Sequence, residues 1–143
     1  MPNHGLETNH SLRLYAEAAS LNQVIAFVHN GGIAAHLSKQ RLDELHLIIE
    51  EIFVNLCCHA FEGTAPGQVT IRYSIPHSGL LHVEVADSGP PFNPLSAPDP
   101  DLTLSLTNRP IGGLGIYLVK TLAASTCYRR ASGWNHLSFD LCV

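Results

Sequence analysis

The sequence predicts an α/β (α+β) sandwich, a single mixed and mainly antiparallel sheet with helices packed on one face. Three observations carry that class: a long apolar helical stretch at 45–61, period-2 runs that pair as hairpins within 68–86 and 126–143, and turn chemistry between these elements. With 143 residues and 45% hydrophobic content, the chain reads as one domain, residues 1–143, long enough to bury a core.

Ser11 to Ala16, SLRLYA, alternates apolar and polar residues and predicts a half-buried strand that pairs with an edge or a second copy. Ser20 is the expected N-cap of a first helix carrying Leu21, Val24, Ile25 and Val28 inward and running toward His36. Gly31 and Gly32 weaken its second half, where a bend or an early end is expected. Ser38 caps the central helix, which stops near Gly63, where GTAPG supplies turn chemistry.

That central helix reads as buried. Leu42, Leu45, Ile49, Ile52, Phe53, Leu56 and Ala60 share one face, and Leu47, Ile48 and Val54 extend the apolar character almost all the way round. Against it, Glu51, Asn55 and His59 recur at i, i+4 and i+8 as one polar stripe. A buried carboxylate without a partner is costly. Either the stripe is solvated, or an internal network, ordered water or a hydrated cation with its ligand meets Glu51 and Asn55.

Gln68–Pro76 and Leu80–Ala86 form an expected hairpin turning through His77, Ser78 and Gly79. Pro90, Pro91, Pro94, Pro98, Pro100 and Pro110 then leave little room for regular structure, the pattern of a lid, a binding loop or a disordered segment. After Gly115, the residues Ile116, Leu118, Val119, Leu122 and Ala123 resume a helix. Thr126–Arg130 and His136–Val143 close the chain as a hairpin turning at Ser132–Asn135.

Composition excludes several classes. A formal net charge of -4 and evenly scattered Lys and Arg argue against a nucleic-acid partner. The start MPNHGLETNHS has no basic n-region or apolar h-region, and no apolar run approaches a membrane span, so a soluble cytoplasmic protein without a membrane partner is expected. Four cysteines, two of them adjacent, are expected as reduced core thiols, and nine histidines show no metal-ligand spacing.

Two glycine-centred motifs bracket the proline-rich stretch. Asp87-Ser88-Gly89-Pro90-Pro91-Phe92 follows a strand, where the carboxylate suits a donor such as a purine amino group and Gly89 lets a ring approach the backbone. Ile111-Gly112-Gly113-Leu114-Gly115 runs into a helix, an arrangement in which backbone N–H groups hold phosphate, although glycines at such positions also serve packing. No G-K-[ST] follows it, so it is no Walker A loop.

E-x-x-x-N on a helix, D-x-G-x-P-F after a strand and R-P-I-G-G-L-G-I opening a helix resemble, in this order and spacing, the asparagine box and two glycine boxes of the GHKL ATPase superfamily. Glu51–Asn55 with His59-Ala60-Phe61, and Arg109 through Val119, most resemble the bacterial anti-sigma-factor serine kinases, and the resemblance covers Ser11 to the C-terminus. It implies a GHKL-like fold and an ATP site with Mg2+. Asp87 would bind the adenine amino group, with Gly89 and Phe92 shaping the pocket. Asn55 would hold Mg2+, and Gly112, Gly113, Leu114 and Gly115 would donate to phosphate with Arg109 as a positive contact. Glu51 would be the general base, and residues 93–110 the ATP lid. The implied function is an anti-sigma factor with serine/threonine-protein kinase activity. Its partners would be a sigma factor and an anti-sigma-factor antagonist carrying the substrate serine, and the chain would be a homodimer. Two alternatives stay open, a sequestering module that uses nucleotide without phosphotransfer and a stand-alone histidine-kinase-like ATPase domain.

Overall fold

The computed structural model describes residues 9–96 and 114–143. Five strands, β1 (His10–Tyr15), β2 (Gln68–His77), β3 (Leu80–Asp87), β4 (Ser125–Ala131) and β5 (Trp134–Cys142), form one sheet in the order β1-β2-β3-β5-β4. All four pairings are antiparallel, so among the described residues no parallel pair qualifies the mainly antiparallel sheet expected. Turn chemistry sets both hairpins. Gly79 takes φ +87° between β2 and β3, while Ser132 and Gly133 both take positive φ between β4 and β5, the two-residue geometry that matches strand twist. Pro76 has no N–H for the ladder, and the β2–β3 register slips between Ser74 and His77.

Three helices pack on one face: α1 (Leu21–Ala34), α2 (Lys39–Asn55) and α3 (Leu114–Leu122). Ser38 caps α2 as expected, its Oγ accepting from the Arg41 N–H at 3.2 Å, whereas Ser20 precedes α1 without a side-chain cap bond. α1 continues through Gly31 and Gly32 and ends at Ala34. They are there for packing: a Cβ on Gly31 would lie 2.9 Å from the Tyr73 ring and one on Gly32 would lie 2.5 Å from Leu42 Cδ2. Backbone entropy lost at two glycines is exchanged for close approach of α1 to β2 and α2.

The core lies between α2 and the sheet. Leu45, Ile48, Ile49 and Phe53 meet Val69, Ile71, Val83, Phe139 and Leu141, all fully buried. Each such side chain contributes about 1.5–3 kcal/mol on leaving water. The helix is not buried all round, because only one layer of sheet is available to it. Leu47 is 53% exposed and Val54 also faces outward, so the amphipathic face is narrower than the composition implied. Expected core cysteines are corrected too: Cys58, Cys127 and Cys142 are exposed and Cys57 is half-buried. Burial, and then the neighbouring Cys58 and Glu17, push the Cys57 thiol up and hold it protonated. No helix among the described residues is long and apolar enough to cross a membrane.

Candidate functional site

Asp87 is the last residue of β3, and alternation along that strand turns its side chain to the helix-covered face, where it is only 7% exposed. Antiparallel register places Asn135, the second residue of β5, directly opposite. The carboxylate Oδ1 accepts from the Gly89 N–H at 2.9 Å and from Asn135 Nδ2 at 3.0 Å. Among the described residues no group donates to the second oxygen, Oδ2, so a buried acceptor stands ready for an external donor.

Asn135 does more than hold Asp87. Its Nδ2 also donates to the Pro90 carbonyl at 2.8 Å, while its Oδ1 accepts from the Phe92 N–H at 3.2 Å and from the Tyr128 hydroxyl at 2.5 Å. Arg130 adds a charge-assisted bond from Nη1 to the Gly89 carbonyl at 2.7 Å. The loop after Asp87 is thus fixed from the β4–β5 hairpin at three successive points. Sequence reading missed Asn135, Tyr128 and Arg130, because Asn135 next to a glycine-containing turn reads as a turn residue. The signal was the hairpin register, which sets Asn135 against Asp87.

We expect Asn135→Ala to lower stability by about 1–3 kcal/mol, since it leaves Asp87, Pro90, Phe92 and Tyr128 short of partners in a buried site. Chemical denaturation measures this. A midpoint equal to wild type would mean that the network carries no stability.

The first glycine motif is held against the central helix. A Cβ on Gly89 would fall 2.8 Å from Asp87 Oδ1 and 3.3 Å from the Ala60 carbonyl oxygen, so only glycine lets the loop close on both. Phe92 is held through its backbone N–H, and the residue is 65% exposed. The chain beyond it begins in order. Asn93 Oδ1 accepts from the Leu95 N–H at 2.9 Å, Pro94–Ser96 makes a 3-10 turn, and Leu95 packs on the core.

The second motif meets the same helix nearer its middle. A Cβ on Gly115 would lie 2.2 Å from Glu51 Cβ and 2.5 Å from Cγ. Gly115 therefore seats α3 on α2 at Glu51, which is the packing role such glycines have besides phosphate contact. Arg109, Gly112 and Gly113 lie outside the described residues, as does the Leu114 side chain. Glu51 and Ala60, the two contact points, are separated by roughly 13 Å of helix axis. Asn55 lies between them, half-buried, on the last turn of α2.

The predicted three-residue stripe is only partly realised. Residues Leu56–Ala60 form a π-helical turn, which inserts one extra residue and rotates the side chains after it by about 100°. His59, within that turn, is exposed, whereas Glu51 and Asn55 are half-buried. Glu51 and Asn55 remain one turn apart on α2, and Asp87 lies at the end of β3.

An α+β domain with one helical layer on an antiparallel sheet is the class that this fold defines, with one glycine contact on α2 at Glu51 and one at Ala60 in the turn that follows it. Residues 14–141 match the family described as Histidine kinase-like ATPase domain, and the chain belongs to that family. Serine/threonine-protein kinase BtrW of Bordetella bronchiseptica is 27% identical over 130 residues, which cover 90% of this chain and 89% of that protein. Serine-protein kinase RsbW of Listeria monocytogenes is 32% identical over 97 residues, covering 64% of this chain and 61% of that protein. RsbW of Bacillus licheniformis is 29% identical over 99 residues, covering 64% of this chain and 60% of that protein. The chain thus matches about three fifths of the length of these RsbW proteins.

Proposed function

We propose that the protein is an anti-sigma factor with serine/threonine-protein kinase activity, transferring the γ-phosphoryl group of ATP to a serine of an antagonist protein. The observation that carries the nucleotide half is Asp87. Its buried carboxylate has one oxygen committed to Gly89 and Asn135, leaving the other to accept from the adenine amino group. Gly89 lets the base approach backbone, and the exposed Phe92 ring is available to cover it.

Glu51 acts as general base, accepting the proton of the incoming hydroxyl as its oxygen attacks phosphorus. Its place on the second turn from the end of α2, against the start of α3, holds the carboxylate on rigid helix rather than on a loop. Asn55 fits Mg2+ because its half-buried carboxamide has no hydrogen-bond partner among the described residues, and a hard cation that keeps most of its waters takes one or two protein oxygens. Bound Mg2+ would neutralise charge on the triphosphate. Arg109, Gly112, Gly113, Leu114 and Gly115 are the proposed phosphate contacts.

The kinase half is supported by the names and overlap of the BtrW and RsbW relatives and by the presence of Glu51. A sigma factor and the antagonist are the proposed partners, the homodimer the proposed assembly, and the cytoplasm the proposed location. Incubation with radiolabelled ATP and candidate antagonists from the same genome tests the reaction. Label on a serine is the expected result, and stable co-purification without label would instead establish a sequestering module.

Residues 93–110 are proposed as the ATP lid. We expect hydrogen exchange in this segment to slow on addition of Mg-ATP, since a lid closes over bound nucleotide. Equal protection with and without ATP would remove the assignment.

A further inference from the structure

The face of the sheet away from the helices carries a second feature. Val69, Ile71, Val85, Asp87 and Leu137 point into the core, so their neighbours Thr70, Ala86 and His136 point the opposite way. Register across all five strands then sets Arg13, Thr70, Ala86, His136 and Arg129 in one row. Small residues occupy the middle of that row and long cationic ones its ends. The result is a cleft of about 300 Å³, floored by Thr70 and Ala86 and walled by Arg13, Arg129, His136 and, from the adjoining positions, Arg72 and Trp134.

Charge in the cleft is unbalanced. Glu84 beside it is engaged by Arg72 at 3.3 Å and by His136 Nδ1 at 3.0 Å. Arg13 spends its Nε on the neutral Thr70 hydroxyl at 3.3 Å and stacks 5.6 Å from the Trp134 ring centroid, and among the described residues its terminal nitrogens meet no carboxylate. Arg129 has no ion pair among the described residues. Among the described residues, three guanidinium groups face one carboxylate, an excess of two positive charges in a protein whose net charge is -4. Sequence position hid this, since Arg13, Arg72 and Arg129 lie far apart in the chain and converge only through strand pairing.

We propose that this cleft binds a compact phosphate dianion, either free or carried on a small organic molecule. An excess of two positive charges matches a phosphate dianion, the planar guanidinium fork matches its oxygens, and the volume sits at the small end of ligand sites. The site is separate from the proposed nucleotide site, which lies on the other face of the sheet at Asp87.

Trp134 is the chain's single tryptophan and lines the cleft, so its fluorescence reports occupancy. Titration with inorganic phosphate and, separately, glycerol phosphate, at fixed ionic strength and with excess ADP present, is expected to give a saturable change with half-saturation on the order of 1 mM. Arg129→Ala and Arg13→Ala should each weaken it about 10-fold or more. Arg41→Ala, which removes a guanidinium paired with Glu44 on α2, should not move it. Tighter binding of glycerol phosphate would identify an organic carrier, and tighter binding of inorganic phosphate the free ion. A non-saturating response, one reproduced by sodium chloride, or cleft variants titrating as wild type would overturn the proposal.

Discussion

Asp87→Ala is expected to weaken ATP binding by about 10- to 100-fold, the equivalent of one buried charge-assisted hydrogen bond together with the groups it leaves unpaired. That variant alone does not separate recognition of the base from support of the loop, because Asp87 Oδ1 also holds Gly89 and Asn135. Asp87→Asn separates them. The amide oxygen can keep both internal bonds, while the amide nitrogen replaces the free acceptor with a donor that opposes the adenine amino group. We therefore expect Asp87→Asn to fold with near wild-type stability yet to lose ATP affinity comparably. It should also gain relative affinity for inosine triphosphate, which presents an oxygen at the same purine position. Calorimetry with the two nucleotides checks this, and unchanged ATP affinity in both variants would end the assignment of Asp87 to the base.

What the sequence made legible was whatever depends on local pattern. Both hairpins and the Ser38 cap rest on short-range spacing, and they appear where expected among the described residues. What it concealed depends on counting along a helix or across strands. The π turn at Leu56–Ala60 has no compositional mark, and His59 within it is exposed whereas Glu51 and Asn55 are half-buried. Leu47 and Val54 suggested an all-round buried helix, but a helix lying on one sheet has one side to bury. Asn135 looked like part of a turn because the turn closes two residues earlier than its composition suggests, at Ser132 and Gly133. Gly31 was read through conformation, whereas it is needed for the space that a Cβ would take against the Tyr73 ring.

Glu51→Gln should leave folding and Mg-ATP affinity close to wild type while cutting phosphotransfer by about 10^2- to 10^4-fold, the usual contribution of a general base. The amide has nearly the same volume and still accepts a hydrogen bond, so the tight contact with Gly115 survives the change. What it cannot do is take the hydroxyl proton. Asn55→Ala should behave differently, because a metal contact acts on the triphosphate before and during transfer. Both Mg-nucleotide affinity and turnover should fall. Measuring binding and transfer for the two variants, with a partner that the wild type labels, gives each residue its own signature. Transfer by Glu51→Gln at the wild-type rate would remove Glu51 from the base role. Loss of nucleotide affinity in Glu51→Gln equal to that in Asn55→Ala would instead mean that the carboxylate supports the nucleotide site through its packing against α3.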